Sequence, residues 1–266
     1  MTAPEVLQLL SEHQSAVAAR VIAEEERRRR HLVVSLSGAH AYGFPSPDSD
    51  LDVKAVHFAP TASLLGFPHA PRTAERLEVV DGVEVDYSSN EAGAVLQGVL
   101  KGNGNYLERF LAGNVLGSTP SFDSVRPMVH RALSRRVFRH YAGFAGQQRL
   151  EWEQSGRRSA KKLLYVLRTC LTGAHLLRCG EVVTDVTRLA DRYGFPDALE
   201  LVGQKRSGEE SELPDLLAKK WATRVTEAFT SLETARAESV LPEEPPNADE
   251  LESWLVAERL AALANP

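Results

Sequence analysis

Cysteine is scarce in this sequence, and long apolar runs are missing from it. The chain has two cysteines, Cys170 and Cys179, in a segment with the pattern of a single helix. Two cysteines so placed fit neither a disulfide framework nor a metal cluster. No run approaches the roughly 20 apolar residues of a membrane-spanning helix, and the N-terminal segment lacks a basic stretch followed by an apolar core. We therefore expect a cytoplasmic protein that does not interact with membranes.

An excess of one charge is also absent. The 31 basic and 36 acidic residues give a net charge of −5, which argues against a protein that coats nucleic acid without selectivity. The distribution is uneven, because residues 126–168 hold eleven Lys or Arg against two acids, whereas residues 207–266 hold thirteen acids against five Lys or Arg. The middle segment, with Arg135, Arg136 and Arg139, is either a surface for an RNA backbone or an ordinary exposed helix face. In the first case the acidic C-terminal region should face away from the RNA.

What is present is a change of periodicity along a chain of 266 residues that is 43% hydrophobic and 25% charged. Residues 31–37, 51–58, 75–80 and 83–88 read as strands, the last two joined by a tight turn at Asp81-Gly82. Ser88 and Glu91 have capping-box spacing, which predicts a helix start after the fourth strand. The predicted helices are 4–30, 89–101, 106–112, 121–133, 136–154, 160–178, 186–193, 213–238 and 248–263. The break at residues 113–121 predicts two domains, 1–113 and 121–266.

Two carboxylates stand at the start of the second predicted strand. Asp50 and Asp52 are two residues apart, so the strand period of two directs both side chains to one face. Such a pair of like charges is unfavourable unless a cation lies between them, and magnesium prefers carboxylate oxygens together with substrate phosphates. The alternative is solvated charge at a strand end, because the Asp-x-Asp pattern is weak by itself.

A third carboxylate lies in the fourth predicted strand. Asp86 alternates with Val85 and Tyr87, which places it on the face opposite an apolar one. If that strand neighbours the second, Asp86 comes beside Asp50 and Asp52. Three such carboxylates could hold two metal ions, one activating an attacking hydroxyl and one binding the triphosphate. Magnesium is the expected metal, with manganese as the alternative.

A glycine precedes the carboxylate pair by twelve residues. Gly38 ends the first predicted strand, before a turn. A glycine there lets backbone N–H groups approach a phosphate closely.

The stretch SLSGAHAYGFPSPDSDLDVKAV, residues 35–56, resembles the nucleotidyltransferase signature of the DNA polymerase β superfamily. That signature is a strand, Gly-Ser, a short helix and Asp-x-Asp. The Ala41-Tyr42-Gly43 and Ser49-Asp50 details are most similar to the bacterial predicted nucleotidyltransferases associated with RNA repair. The resemblance extends over residues 33–110.

The resemblance implies an α+β fold, a mixed sheet with flanking helices, followed by a helical domain that closes the active-site cleft. It implies transfer of a nucleoside monophosphate from a nucleoside triphosphate to an acceptor hydroxyl, with release of pyrophosphate. Asp50, Asp52 and Asp86 would be the catalytic metal ligands, and an RNA 3′ end, such as that of a tRNA, would be the acceptor. Basic helix residues often complete the nucleotide site in this superfamily, and here they would be Lys161, Lys162 and Arg168.

One departure from the family pattern concerns the phosphate turn. The family usually has Ser after the glycine, whereas this chain has Ala39, so a side-chain hydroxyl is missing. Backbone N–H groups of Gly38 and Ala39 could still bind phosphate, with His40 and Ser49 as further nucleotide contacts. Two alternatives therefore stay open. One is transfer to a small molecule or to a protein side chain, and the other is a non-catalytic nucleotide- or RNA-binding module. The sequence sets no oligomeric state.

Overall fold

A computed structural model describes residues 6–65, 67, 72–206 and 212–264 of the chain. Its contacts define two compact units, both of them discontinuous in sequence. The first unit comprises Met1–Gly38, Asp50–Leu133 and Pro245–Pro266, and the second comprises Ala39–Ser49 and Ser134–Glu244. The predicted domains, 1–113 and 121–266, are each continuous in sequence. That division into a catalytic and a helical domain stays a prediction.

The first unit contains a mixed sheet of five strands. The strands are β1 (Arg30–Leu36), β2 (Leu51–Phe58), β3 (Thr73–Val80), β4 (Val83–Glu91) and β5 (Val115–Ser118). Their order in the sheet is β3-β4-β2-β1-β5. Strands β2 and β4 are parallel, and the other neighbouring strands are antiparallel.

Helices make up most of the remaining structure. They are α1 (Glu12–Glu26), α2 (Gly38–Tyr42), α3 (Ala92–Leu100), α4 (Gly104–Leu111), α5 (Pro120–Arg131), α6 (Val137–Gln154), α7 (Ala160–Cys179), α8 (Val186–Ala190), α9 (Ala198–Arg206), α10 (Asp215–Ala237) and α11 (Ala248–Ala264). Short 3-10 turns cover Thr61–Leu64 and Asp191–Tyr193. The predicted α+β class, a mixed sheet with flanking helices, is confirmed.

Several predicted boundaries differ from the observed ones. The predicted helix 4–30 is shorter, because α1 begins after Ser11, which forms a capping box with Gln14; residues 4 and 5 lie outside the described ranges. The predicted cap at Ser88 is wrong, since β4 continues to Glu91 and the Glu91 side chain accepts from the Ala94 N–H at 3.1 Å. Strand β4 pairs with both β2 and β3. These strand hydrogen bonds stabilise the extended backbone at Ser88 more than a helix cap there would. Strand β5 and helix α9 were not predicted.

The sheet carries a buried face and an exposed one. In β4 the side chains of Val85, Tyr87 and Ser89 are buried, whereas Asp86 between them is partly exposed. Arg109 from α4 is itself buried, and its Nη1 donates to the Ala55 carbonyl at 2.8 Å and to Asn90 Oδ1 at 2.7 Å. These charge-assisted bonds tie α4 to β2 and β4, the two strands that carry the candidate site.

The second unit is organised around α7. Its Leu163, Leu167 and Leu171 are fully buried, and α7 packs against α6 and α10. Gly173 permits the close approach of α6, because a Cβ there would lie 2.7 Å from Tyr141 Cβ. The prediction that one helix holds both cysteines is confirmed, with Cys170 buried. Within the described ranges no helix has the length and apolar character needed to cross a membrane.

One buried and one half-buried histidine make the stability of this fold depend on pH. Burial lowers the pKa of His31 and of His140 to about 4, and the charges of Arg29 and Arg168, respectively, add to the effect. In the unfolded chain a histidine takes up its proton near pH 6.5. Between pH 6.5 and pH 4 the unfolded state therefore binds more protons than the folded state, which favours unfolding.

We predict that the free energy of unfolding falls as the pH is lowered from 6.5 to 4. Urea unfolding at a series of pH values measures this slope. The double variant His31→Phe, His140→Phe should have a flatter slope, whatever its absolute stability. A slope in the double variant equal to that of the unmodified protein would contradict the assignment.

Candidate active site

Two of the predicted carboxylates are direct neighbours in the sheet. Asp52 in β2 is the register partner of Asp86 in β4, so both side chains leave the sheet on the same face. The Asp52 side chain is 23% exposed and the Asp86 side chain 44%. Leu77 in β3 is the register partner of Asp86 on its other side, and it is exposed. The carboxylates thus lie on an open face.

A lysine that the sequence reasoning missed lies between these carboxylates. Lys54 Nζ is 2.8 Å from Asp86 Oδ2 and 3.7 Å from Asp52 Oδ1, and it also donates to the Asp86 carbonyl at 3.4 Å. Its ammonium offsets the repulsion that two adjacent carboxylates would otherwise have. The strand period of two between Asp52 and Lys54 was the available signal, since it predicts that both share one face.

Gly38 is fixed in its position by two separate constraints. Its φ is +63°, a left-handed conformation that glycine adopts at little cost. A Cβ at this position would overlap the carboxylate of Asp52. The Ser37 N–H donates to the Asp52 carbonyl at 2.9 Å, which holds the turn against the start of β2. The backbone of the predicted phosphate turn and a predicted catalytic carboxylate are therefore in direct contact.

Asp50 is placed differently from the other two carboxylates. It is exposed and immediately precedes Leu51, the first residue of β2. Among the described residues there is no group of three or more His, Cys, Asp or Glu side chains arranged to hold a metal ion. The structure therefore brings Asp52 and Asp86 together, and the part of Asp50 in the site stays a prediction.

The rest of the predicted nucleotide turn belongs to the second unit. Ala39, His40 and Ser49 are all buried there. The Ser49 hydroxyl accepts from the Ser46 N–H at 2.9 Å, and the Ser46 hydroxyl in turn accepts from the buried ammonium of Lys205. The turn preceding residue 50 is therefore held by α9, a helix that the sequence reasoning missed.

A second contact fixes the middle of the same segment. The Thr184 hydroxyl donates to the Ala41 carbonyl at 3.0 Å. Gly43 has a φ of +87°, and a Cβ there would overlap the Asp185 carboxylate. Both contacts come from the residues just before α8. Contacts with Thr184 and Asp185 thus account for the residue types in the Ala41-Tyr42-Gly43 part of the signature through packing.

The three predicted basic residues lie on α7 but in different environments. Lys161 and Lys162 are partly exposed in the first helical turn. Arg168 is 1% exposed, and its guanidinium carbon lies 3.7 Å from the ring centroid of Tyr42, which is a close cation–π contact. Tyr165 packs edge-on against Tyr42 with ring centroids 5.8 Å apart. Lys161 and Lys162 are thus accessible cations, whereas Arg168 is part of the packing around Tyr42.

The expected basic surface is largely engaged by the acidic segment. Arg135 donates to Glu243 and to the carbonyls of Leu241 and Ser239, and Arg136 forms an ion pair with Glu244. The expectation that the acidic C-terminal region faces away from these arginines is therefore wrong for residues 243 and 244. Opposite charges far apart in sequence have paired after folding, which a count along the chain does not reveal.

Comparison with known proteins identifies the family of the chain. The sequence model of the RlaP family, described as the RNA repair pathway DNA polymerase beta family, matches residues 11–257. The uncharacterized protein MJ0002 of Methanocaldococcus jannaschii is 29% identical over 166 residues, which are 61% of this chain and 67% of the relative. A crystal structure of a nucleotidyltransferase-like protein from Exiguobacterium sibiricum 255-15 aligns with 92% of this chain and 80% of its own, at 11% identity and a TM-score of 0.35.

The family match covers most of the chain and places it in the DNA polymerase beta class of proteins. More narrowly, the chain belongs to the RNA repair pathway DNA polymerase beta family. The family resemblance inferred from residues 35–56 is confirmed.

Glycine substitutions can separate the two constraints at position 38. Gly38→Ala adds both a strained backbone and a clash with Asp52. Gly82→Ala adds only strain, because its φ is +82° and the space around it is open. Gly117→Ala adds neither strain nor a clash. A left-handed alanine costs about 1–2 kcal/mol. We predict that the loss in free energy of unfolding, measured in urea, is greatest for Gly38→Ala, about that amount for Gly82→Ala, and smallest for Gly117→Ala.

Equal losses for Gly38→Ala and Gly82→Ala would mean that the Asp52 carboxylate moves away freely. In that case Gly38 would be required for its backbone conformation alone.

Proposed function

We propose that the protein is a magnesium-dependent nucleotidyltransferase that moves a nucleoside monophosphate from a nucleoside triphosphate to an acceptor hydroxyl. The acceptor oxygen loses its proton and bonds to the α-phosphorus, while the bond from that phosphorus to the bridging oxygen breaks and pyrophosphate leaves. The observation that carries this proposal is the register pairing of Asp52 with Asp86 beside Gly38. Two carboxylates and a glycine turn beside them are groups that such a reaction needs.

Asp50, Asp52 and Asp86 are the proposed metal ligands. Hard carboxylate oxygens suit magnesium, with manganese as the alternative ion. The ammonium of Lys54 between Asp52 and Asp86 supports a site that accepts positive charge. Two bound ions would supply charge neutralisation of the triphosphate and a lowered pKa for the attacking hydroxyl.

The proposed triphosphate contacts are residues of the turn and of α7. The backbone of Gly38 and Ala39, with His40 and Ser49, forms the proposed nucleotide turn. Ala39 is buried, so its contribution is limited to the backbone. Lys161 and Lys162 are the partly exposed cations proposed to offset triphosphate charge. Arg168 would act through Tyr42, on which it stacks.

An RNA 3′ end, such as that of a tRNA, is the proposed acceptor. The description of the family as an RNA repair pathway family supports this choice. A cytoplasmic location, where both nucleoside triphosphates and RNA are present, is part of the same proposal. Transfer to a small molecule or a protein side chain is the alternative that the labelling experiment below also detects.

We predict that Asp52→Asn and Asp86→Asn each reduce label transfer to background while the fold is retained. The assay incubates the protein with each α-labelled nucleoside triphosphate, magnesium and total cellular RNA, and then asks which molecule carries label. Loss is expected because an amide replaces an anionic metal ligand. Circular dichroism checks the fold.

Glu84→Gln is the matched control for these variants. Glu84 lies two residues before Asp86 in β4, and it is exposed. The Glu84→Gln variant should retain transfer, since it removes a carboxylate from the same face without touching the pair. Transfer by Asp52→Asn or Asp86→Asn at the level of this control would refute the assignment of the site. Label in a small molecule or in protein would refute the RNA acceptor alone.

Lys54 gives a second test that does not depend on activity. Its ammonium competes with a metal ion for Asp52 and Asp86, so Lys54→Met should bind Mn²⁺ more tightly than the unmodified protein. Electron paramagnetic resonance of free Mn²⁺, without nucleotide, measures the affinity. Lys101→Met removes an exposed lysine elsewhere in the first unit and should leave the affinity unchanged. Unchanged or weaker binding by Lys54→Met would show that these carboxylates are not where the ion binds.

A further inference from the structure

A cleft of about 500 Å³ lies in the first unit, away from the carboxylates. Its lining comprises the end of α1, the start of β1 and the end of β5, namely Glu26, Arg27, Arg28, Arg29, Arg30, His31, Val34, Gly117, Ser118 and Thr119. Arg30 at the start of β1 pairs with Phe58, whereas Leu36 at its other end pairs with Val53 beside Asp52. The cleft is therefore at the opposite end of β1 from the Gly38 turn.

Four consecutive arginines give the cleft its chemical character. The chain leaves α1 at Arg27 and enters β1 at Arg30, and the change from helix to strand directs successive side chains differently. All four nevertheless line the one cleft. Each guanidinium presents five N–H donors and stays charged at any physiological pH.

The partners of these arginines leave part of their charge available. Arg28 and Arg29 share Glu25, which is itself buried, and Arg30 pairs with Glu258. Within the described part of the chain Arg27 has no ion-pair partner, and the side chains of Arg28 and Arg30 are 61% and 50% exposed. The acids beside the four arginines are Glu25, Glu258 and the lining residue Glu26. Four positive charges therefore face three negative ones.

A buried histidine in the cleft wall has an unsatisfied ring nitrogen. His31 is 6% exposed, and its Nδ1 has no hydrogen-bond partner among the described residues. The Tyr87 hydroxyl accepts from Arg29 Nη1 at 3.2 Å and lies 2.8 Å from His31 Nε2. If the Tyr87 hydroxyl donates its single hydrogen to Nε2, the proton of the neutral imidazole is on Nδ1. That leaves a buried N–H donor in the wall without an acceptor in the described part of the chain, which is a costly arrangement.

We propose that this cleft binds phosphodiester groups of the acceptor RNA strand. A row of arginines fits successive phosphates better than it fits one compact anion, and Arg recognises phosphate through paired N–H donors. The exposed hydroxyl of Ser118 at the edge of the sheet adds a neutral donor. Because the cleft is far along β1 from Asp52, it would hold the body of the strand rather than its reacting end. This inference rests on the RNA acceptor proposed above.

The test is binding of a fluorescent single-stranded RNA oligonucleotide, without triphosphate or metal, measured by anisotropy over a range of salt concentrations. The variant is Arg27→Gln, Arg28→Gln, which keeps Glu25 paired with Arg29 and Arg76. Each contact to a single strand contributes a log–log salt slope of roughly −0.7, so losing two should flatten the slope by about 1.4. Relative to 1 M salt, that change weakens binding about 25-fold at 0.1 M salt.

The control is Lys101→Gln, Lys219→Gln, which removes the same charge from exposed positions outside the cleft. Its salt slope should match that of the unmodified protein. Equal effects of the two double variants, or an unmodified protein that binds no RNA, would overturn the proposal. Competition by inorganic triphosphate but not by unlabelled RNA would also overturn it, in favour of a small polyphosphate. If the cleft proposal is overturned in one of these ways but label is still transferred to RNA, the proposed reaction holds and only the role of the cleft is refuted.

Discussion

Direct parallel pairing of β2 with β4 is the constraint on which the candidate site depends. The pairing sets Asp52 opposite Asp86 and places Lys54 within reach of both. A slip of one residue would turn Asp86 to the face that buries Val85 and Tyr87, where an unpaired carboxylate is expensive. Burial of the apolar side of β4 therefore fixes the geometry on its polar side. The buried Arg109, bonded to both strands, reinforces this register.

The electrostatic balance of the site follows from the same register. Adjacent carboxylates raise the free energy of the fold unless a cation lies between them, and Lys54 supplies one from within the chain. A divalent ion and the lysine would compete for the same oxygens. Gly38 completes the arrangement, since the missing side chain leaves space for the Asp52 carboxylate. Backbone turn, carboxylates and lysine thus form a single interdependent group in the first unit.

Pairing far along the chain also decides which basic residues can meet a ligand. The segment with the largest local excess of Lys and Arg contains Arg135 and Arg136, which are bound to Glu243 and Glu244. The run at residues 27–30 reads in sequence as helix-surface pairs with the preceding glutamates, and Glu25 does pair with Arg28 and Arg29. It nevertheless lines a cleft, because the end of β5 comes to lie beside the start of β1. The location of accessible positive charge is therefore a property of the fold.

The sequence by itself determined the family, the mixed sheet with its helices, the three carboxylate candidates and the glycine turn. These rest on local patterns, namely strand alternation, helical periodicity and a short motif of fixed spacing. Tertiary structure decided that Asp52 pairs with Asp86, that Lys54 lies between the pair, and that Arg168 is buried against Tyr42. Strand order and long-range ion pairs arise from contacts between residues distant in sequence, and no local pattern encodes which distant partner a strand or a charge will meet.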